Sequence, residues 1–271
     1  MTSMSPSGLH VNKPAIGIIF GLIVVGIVYF KMSGKTASVT SADFSQQKSE
    51  DKPKASDDLS SIKVFHKTDL QVPVDDKVVT VAYRETKCDE AKLDVLFLHG
   101  MKFKSETWVS EPLWTLQLLY KTGGFRAVAI DLPGYGDSPN AEVDPAAFME
   151  AVIAKLQLNA PVIVSPSMSG TYSLPYLFKN VSNAVSRSKG FVPVAPVGTD
   201  NYKPQFQDLK IPTLVIYGEN DKSLGASSAK NFETIKDKTV VELAGAGHAC
   251  YMNKPDEFHK HLIDFLKKLS Q

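Results

Sequence analysis

The most informative stretch of this sequence is Ala160-Pro161-Val162-Ile163-Val164-Ser165-Pro166-Ser167-Met168-Ser169-Gly170. Its first half is apolar and β-branched, which is typical of a strand buried on both faces of a parallel sheet. Its second half consists of small residues and leads into residues 171–178, which can begin a helix. A strand that turns sharply into a helix at Ser-x-Ser-x-Ser predicts a nucleophile elbow, with Ser167 exposed at the carboxyl edge of the sheet.

Length, charge and cysteine content limit the kinds of protein that this sequence can encode. The chain has 271 residues, 43% of them hydrophobic, which fits one large α/β domain with an appendage. With 30 basic and 29 acidic residues, the charge does not favour nucleic-acid binding. Two cysteines far apart in the sequence argue against a disulfide scaffold, and the histidines show no metal-ligand spacing, so we expect no metal.

The N-terminal part predicts attachment to a membrane. Ala15–Phe30 is an uncharged apolar run flanked by lysines, so we interpret 1–14 as a tail, 15–31 as a transmembrane signal-anchor and 32–61 as a flexible stalk. The alternative is a cleaved signal peptide, but Lys31 stands where a small-residue cleavage site is expected. We expect a single-pass type II protein, although the charges on the two flanks leave cytoplasmic placement of the domain open. Asn180-Val181-Ser182 is a glycosylation sequon if the domain faces a lumen.

Residues 62–271 alternate between strand and helix patterns, which predicts an α/β fold with a mostly parallel sheet flanked by helices. Ile62–Val74 and Lys77–Glu85 form a predicted antiparallel pair, and six further strands follow. Helices are predicted over Trp108–Tyr120, over residues 144–158 and over Pro255–Leu269. Only Val197–Ile211 separates the sixth and seventh strands, which is too short for a large lid domain.

Three candidate catalytic residues each follow a predicted strand, in the order Ser167, Asp221, His248. Because the carboxyl ends of parallel strands meet at one edge, these side chains can converge there. His248 would accept the serine proton and Asp221 would orient the imidazole, while backbone N–H groups of Met101 and Met168 would face the oxyanion. Asp200, after the preceding strand, is an alternative acid.

These motifs together resemble the α/β-hydrolase family over roughly residues 62–269. The resemblance is carried by His99-Gly100, by Asp131-Leu132-Pro133-Gly134-Tyr135-Gly136-Asp137-Ser138, by the elbow and by Gly245-Ala246-Gly247-His248. The serine-rich elbow departs from the general Gly-x-Ser-x-Gly but is similar to a subgroup that has a membrane-anchored and a soluble form. The resemblance to the soluble form implies hydrolysis of small acyl esters and transfer of acetyl groups from lysine to coenzyme A.

The sequence therefore predicts a membrane-anchored serine hydrolase for short acyl esters or amides. It would require no cofactor, and the resemblance to the soluble form implies coenzyme A as an acyl acceptor. Short acyl chains are favoured because a site without a lid buries few methylene groups, each worth about 0.8 kcal/mol. One alternative is a catalytically silent hydrolase fold that serves as a binding or scaffold protein. Another is a haloperoxidase or C–C bond hydrolase that uses the same residues.

Overall fold

The computed structural model describes residues 59–271. The predicted tail, the predicted span at 15–31 and the predicted stalk up to residue 58 lie outside the described residues. Within 59–271, no helix combines the length and the apolar character needed to cross a membrane.

The described part opens with an antiparallel strand pair, as the sequence predicts. Strand β1 covers Phe65–Val74 and β2 covers Lys77–Thr86. Asp75 makes the tight turn between them with a positive φ of 51°, a conformation that aspartate tolerates better than most residues. The first strand begins three residues later than the predicted start at Ile62.

The eight strands found within residues 59–271 form one sheet in the order β1-β2-β4-β3-β5-β6-β7-β8. Neighbouring strands are parallel from β4 onward in this order, whereas β2 pairs antiparallel with both β1 and β4. The six later strands are β3 (Leu93–Phe97), β4 (Phe125–Ile130), β5 (Val162–Pro166), β6 (Phe191–Val194), β7 (Thr213–Gly218) and β8 (Lys238–Leu243). The predicted mostly parallel α/β sheet is therefore confirmed.

Helices cover both faces of this sheet, and the central strands are buried on both sides. In β5, Ile163 belongs to one hydrophobic core, while Val162 and Val164 belong to the other. This alternation arises because successive side chains of a strand point to opposite faces. The α-helices are α1 (Thr115–Thr122), α2 (Pro145–Lys155), α3 (Gly170–Phe178), α4 (Ala184–Arg187), α5 (Leu224–Asn231), α6 (Cys250–Asn253) and α7 (Pro255–Leu269).

One predicted helix starts later than the sequence indicated. Instead of a continuous helix over Trp108–Tyr120, a 3-10 turn covers Ser105–Trp108 and α1 begins only at Thr115. Pro112 explains the interruption, because proline has no N–H to donate and disfavours helical geometry in the residue before it. Trp114 then takes a left-handed conformation, with φ 48°, before the helix starts.

The connection from β6 to β7 contains no inserted helical bundle. It holds a ten-residue 3-10 helix, Thr199–Asp208. Phe206 from this helix is fully buried and packs against Phe178 and Phe232, with ring centroids 5.2 and 4.8 Å apart. The segment is therefore part of the domain core and does not form a lid over the sheet edge.

Candidate active site

Ser167 lies at a sharp turn between β5 and α3. It has a positive φ of 52°, which costs a non-glycine residue about 1–2 kcal/mol and marks a strained backbone. Its carbonyl accepts a hydrogen bond from Val197 N at 3.0 Å, which connects the turn to the segment after β6. Gly170 is needed for this approach, since a Cβ atom there would lie 2.4 Å from the Val197 carbonyl oxygen.

The serines on either side of Ser167 have a different environment. Ser165 and Ser169 are fully buried, and their hydroxyl oxygens lie 3.0 Å apart. Ser165 also contacts the Ser173 hydroxyl at 2.6 Å, and Ser169 donates to the Pro166 carbonyl at 2.8 Å. These hydroxyls connect the strand to the helix beneath the turn, whereas Ser167 lines a cavity at the sheet edge.

The structure brings Ser167, His248 and Asp221 into one hydrogen-bonded chain. Nε2 of His248 lies 2.8 Å from the Ser167 hydroxyl, and Nδ1 lies 2.6 Å from Oδ2 of Asp221. Only 4% of the Asp221 side chain is exposed, against 44% for His248. Histidine is therefore accessible from the cavity, while the carboxylate behind it is shielded from water.

The Asp221 carboxyl remains ionised despite its burial. Burial by itself raises its pKa, but hydrogen bonds from His248 and from the Gly225 backbone N–H outweigh burial and hold the pKa below its usual value. Gly225 permits this contact, since a Cβ atom there would lie 2.9 Å from the carboxylate. A buried anion beside Nδ1 is the arrangement that holds an imidazole ready to accept a proton at Nε2.

The alternative acid, Asp200, does not reach His248, and that alternative is wrong. Asp200 is exposed and pairs with Lys203 at 2.6 Å and with Asn231 at 3.2 Å. It lies in the 3-10 helix Thr199–Asp208, whereas Asp221 follows β7 and is the carboxylate bonded to His248.

Two side chains that the sequence did not identify brace the loop that carries His248. Asn253 Oδ1 accepts a hydrogen bond from Gly247 N at 2.9 Å, and Glu219 Oε2 accepts one from Gly245 N at 2.7 Å. Neither residue belongs to a motif with a known spacing, so no sequence signal could have identified them. Both bonds restrict the backbone that sets the direction of the imidazole.

On the opposite side of Ser167, buried His99 shapes the loop that leads to Met101. Its Nε2 accepts from Leu132 N at 3.0 Å, so its Nδ1 carries the proton and donates to the Gly100 carbonyl at 2.9 Å. Burial lowers the pKa of His99, which keeps the ring neutral and preserves this tautomer. Gly100 then packs directly against Ser167, since a Cβ atom added at Gly100 would lie 3.4 Å from the Cβ of the serine.

The Asp131–Ser138 motif has a structural role beside the site. Asp131 is fully buried and accepts hydrogen bonds from Ser105 N at 2.6 Å and Asp137 N at 2.9 Å. Gly136 has φ 55°, and a Cβ atom there would overlap the Asp131 carboxylate at 2.2 Å. The motif therefore anchors the far end of the loop that starts at His99.

Ser167 and His248 line a cavity of about 290 Å³ with mostly apolar walls. Its lining residues are Gly100, Met101, Lys102, Phe103, Pro166, Ser167, Val194, His248, Ala249 and Tyr251. The neighbouring Cys250 is fully buried, and burial raises the pKa of its thiol to about 12. The thiol is therefore protonated at neutral pH, which excludes it as a competing nucleophile.

Two other sequence expectations concern residues outside this cavity. Asn180, the sequon residue, lies exposed just after α3. No group of three or more His, Cys, Asp or Glu side chains within 59–271 has the arrangement of a metal site.

Comparison with known proteins agrees with this architecture. The family model described as "Alpha/beta hydrolase family" matches residues 95–204. Protein ABHD14A from Danio rerio is 49% identical over 187 residues, which cover 66% of this chain and 66% of that protein. ABHD14B from Homo sapiens is 43% identical over 188 residues, covering 66% of this chain and 86% of that protein.

Solved structures share the fold at lower sequence identity. A CIB-like hydrolase from Thermoplasma acidophilum aligns with a TM-score of 0.67 and 23% identity, over 76% of this chain and 99% of that one. An esterase from Exiguobacterium antarcticum aligns with a TM-score of 0.60 and 15% identity, over 73% and 99% of the two chains. These structures show the fold, and the relatives described above show the family: this chain belongs to the α/β-hydrolase family, in the group of ABHD14A and ABHD14B.

Proposed function

We propose that this protein is a serine hydrolase that cleaves short acyl esters or amides. One observation carries the proposal, namely the continuous chain of hydrogen bonds from Ser167 through His248 to Asp221 at a strained elbow. Members of this fold class perform many reactions, so the residues of the site have to carry the argument.

In the proposed mechanism, the Ser167 oxygen attacks the acyl carbonyl carbon while its proton moves to Nε2 of His248. Asp221 stabilises the imidazolium that forms. The bond to the leaving group then breaks, and His248 returns the proton to the leaving oxygen or nitrogen. Water attacks the resulting acyl-enzyme while His248 takes one of its protons. The bond between the acyl carbon and the Ser167 oxygen then breaks, His248 returns the proton to that oxygen, and the carboxylic acid leaves.

We assign the oxyanion site to the backbone N–H groups of Met168 and Met101. Met168 directly follows the nucleophile, and Met101 follows Gly100, which packs against Ser167. The neutral His99 supports this role because its bond to the Gly100 carbonyl orients the peptide that leads to Met101. Fixed backbone donors of this kind stabilise the developing negative charge without reorganising during the reaction.

The preference for short acyl groups is supported by the open sheet edge. No inserted bundle covers it within residues 195–212, and the cavity beside Ser167 measures about 290 Å³. An amide substrate is supported by a relative, since human ABHD14B carries the provisional name of a protein-lysine deacylase.

Transfer of the acyl group to coenzyme A is a finer part of the proposal. Lys102 lines the cavity and Lys222 follows Asp221 on the surface, so two ammonium groups are available to an anionic acceptor. Lys104, two residues after Lys102, pairs with Glu106 at 2.6 Å. To test this transfer, the protein is incubated with p-nitrophenyl acetate and coenzyme A, and acetyl-coenzyme A is measured by mass spectrometry. Ser167→Ala is the control.

We further propose that Ala15–Phe30 anchors the domain in a membrane as a single-pass span. Its support is the length and uncharged character of the run. Glycosylation at Asn180 would then report a lumenal domain, because the residue is exposed.

Activity-based labelling tests the central proposal. A fluorophosphonate probe should label the wild-type protein and fail to label Ser167→Ala, and hydrolysis of p-nitrophenyl acetate should disappear in the same variant. Ser165→Ala is the matched control, since it removes a buried hydroxyl two residues away and should retain labelling. An unlabelled, inactive wild-type protein would instead support a silent binding or scaffold role.

A further inference from the structure

The Tyr251 side chain is held rigidly inside the wall of the cavity. Only 2% of the residue is exposed. Its ring stacks on Trp108 with centroids 5.0 Å apart and meets the edge of Phe103 at 5.7 Å. Trp108 is itself fixed, since its Nε1 donates to the Leu98 carbonyl at 2.8 Å. The tyrosine ring therefore has no freedom to swing its hydroxyl into solvent.

The hydroxyl of Tyr251 has no hydrogen-bond partner among residues 59–271. Buried hydroxyls are nearly always paired, because an unpaired one loses its bonds to water without replacement. In this part of the chain the fully enclosed side-chain atoms without a partner are Gln117 Oε1 and Arg187 Nε. The Tyr251 oxygen is not among them, so this unpaired oxygen keeps some open surface. The residue lines the cavity beside Ser167, and we infer that the open surface of the hydroxyl faces this cavity.

The rest of this wall offers few polar groups. Phe103, Pro166, Val194 and Ala249 contribute apolar surface, and the Lys102 side chain is exposed at the surface. Burial raises the pKa of the Tyr251 hydroxyl, so it stays protonated and can donate. A small number of fixed polar groups in a mostly apolar pocket is how binding sites select the polar atoms of a ligand.

We propose that the Tyr251 hydroxyl donates a hydrogen bond to an oxygen atom within the acyl group, so that the enzyme selects short oxygen-bearing acyl chains over plain alkyl chains. This inference rests on the proposed serine hydrolase function. It narrows the substrate class to acyl groups with an ether, hydroxyl or carbonyl oxygen a few atoms from the scissile carbonyl.

The test uses ester pairs that differ by one atom. p-Nitrophenyl methoxyacetate and butyrate differ only in an oxygen that replaces a methylene, and 3-methoxypropionate and pentanoate repeat the change one position further out. kcat/KM is measured for the full-length wild type, for Tyr251→Phe and for Tyr120→Phe, which makes the same change on an exposed residue. Differences in intrinsic ester reactivity cancel because each pair is compared between enzymes.

We expect Tyr251→Phe to reduce kcat/KM for an ether ester about 3- to 10-fold more than for its alkyl partner, the size of one ordinary hydrogen bond. Tyr120→Phe should leave the ratio unchanged. Equal losses on ether and alkyl esters in both pairs would overturn the inference while leaving the hydrolase function intact.

A binding experiment separates this inference from the proposed function. Ser167→Ala and Ser167→Ala/Tyr251→Phe are titrated with the 4-nitroanilides of methoxyacetic and butyric acid, and dissociation constants are measured by ligand-observed NMR. We expect the second variant to lose about 3- to 10-fold in affinity for the ether anilide relative to the alkyl one. This comparison tests the hydrogen bond even if the wild type proves inactive. The same ratio of affinities for the ether and alkyl anilides in both variants would refute the hydrogen bond.

Discussion

Nδ1 of His248 lies 2.6 Å from Oδ2 of Asp221, although the two residues are 27 positions apart in the sequence. Asp221→Asn should keep the fold, because an amide has the size of the carboxylate, but it cannot favour the same imidazole tautomer or stabilise the imidazolium. We expect kcat to fall by about 10⁴-fold on p-nitrophenyl acetate. Asp200→Asn is the matched control and should remain close to wild type. Comparable activity in Asp221→Asn and wild type would remove Asp221 from the mechanism.

The bond from Gly247 N to Asn253 should also affect catalysis, through the position of His248. Asn253→Ala removes the acceptor and frees the loop, so we expect kcat to drop about 10-fold, in line with the sensitivity of catalysis to small displacements. Asn253→Asp retains an acceptor and should restore most of the rate. If alanine and aspartate variants lose activity equally, the side chain does not act by accepting this bond.

Stability should depend on pH through His259, which joins α7 to α1 by a 2.9 Å contact with the Thr115 hydroxyl. Burial lowers its pKa to about 4, whereas an unfolded histidine titrates near 6.5. As the pH falls, His259 therefore becomes protonated in the unfolded state before it does so in the folded state. The stability that comes from burying the neutral His259 ring is complete above pH 6.5 and is lost as the pH falls toward 4. We expect it to remove roughly 2 kcal/mol of unfolding free energy between pH 7.5 and 5.

Urea unfolding of wild type and His259→Gln at both pH values measures this contribution. The pKa of buried His99 is also lowered. His99 therefore adds the same pH dependence to the unfolding free energy of both proteins, and its effect cancels when the two are compared. His261→Gln, on the same helix, serves as the control. If His259→Gln loses as much unfolding free energy between pH 7.5 and 5 as the wild type does, His259 is not the cause of the pH dependence.

The open site predicts a limit on acyl chain length. With about 290 Å³ beside Ser167, an alkyl chain beyond the first few carbons extends into solvent and gains less than the ~0.8 kcal/mol of a buried methylene. We expect kcat/KM on p-nitrophenyl esters to peak between acetate and butyrate and then decline, measured on a fragment that starts near Ser56. A steady rise toward decanoate would reveal a deeper apolar pocket.

Membrane attachment is predicted from the apolar run at Ala15–Phe30. The full-length protein should remain in the membrane fraction after alkaline carbonate washing, and a variant without residues 1–35 should be released. The intact N-terminus should be found by mass spectrometry. A mature protein that starts beyond Phe30 would instead identify a cleaved signal peptide.

Much of the architecture could be predicted from local sequence, because its determinants lie within single elements. A β-branched run predicts strand β5. Asp144-Pro145 predicts the start of α2, where the Asp144 side chain accepts a hydrogen bond from Ala147 N at 2.8 Å. Each of Ser167, Asp221 and His248 comes after a strand, so their position at one edge of the sheet could be predicted, because the carboxyl ends of parallel strands meet there. The interruption before Thr115 was missed, although Pro112 was its visible cause.

The partner of each side chain depends on the tertiary structure. Asp200 and Asp221 both follow strands, and the packing of the loops after β7 and β8 determines which carboxylate meets His248. Asn253 and Tyr251 carry no motif, and each acquires its place through contacts with residues that folding brings near. The amino-acid sequence supplies the chemical groups, and its strand patterns predict the edge of the sheet where these groups gather, because such patterns are local. Which of these groups touch was decided by folding, because contacts between distant residues depend on how whole elements pack.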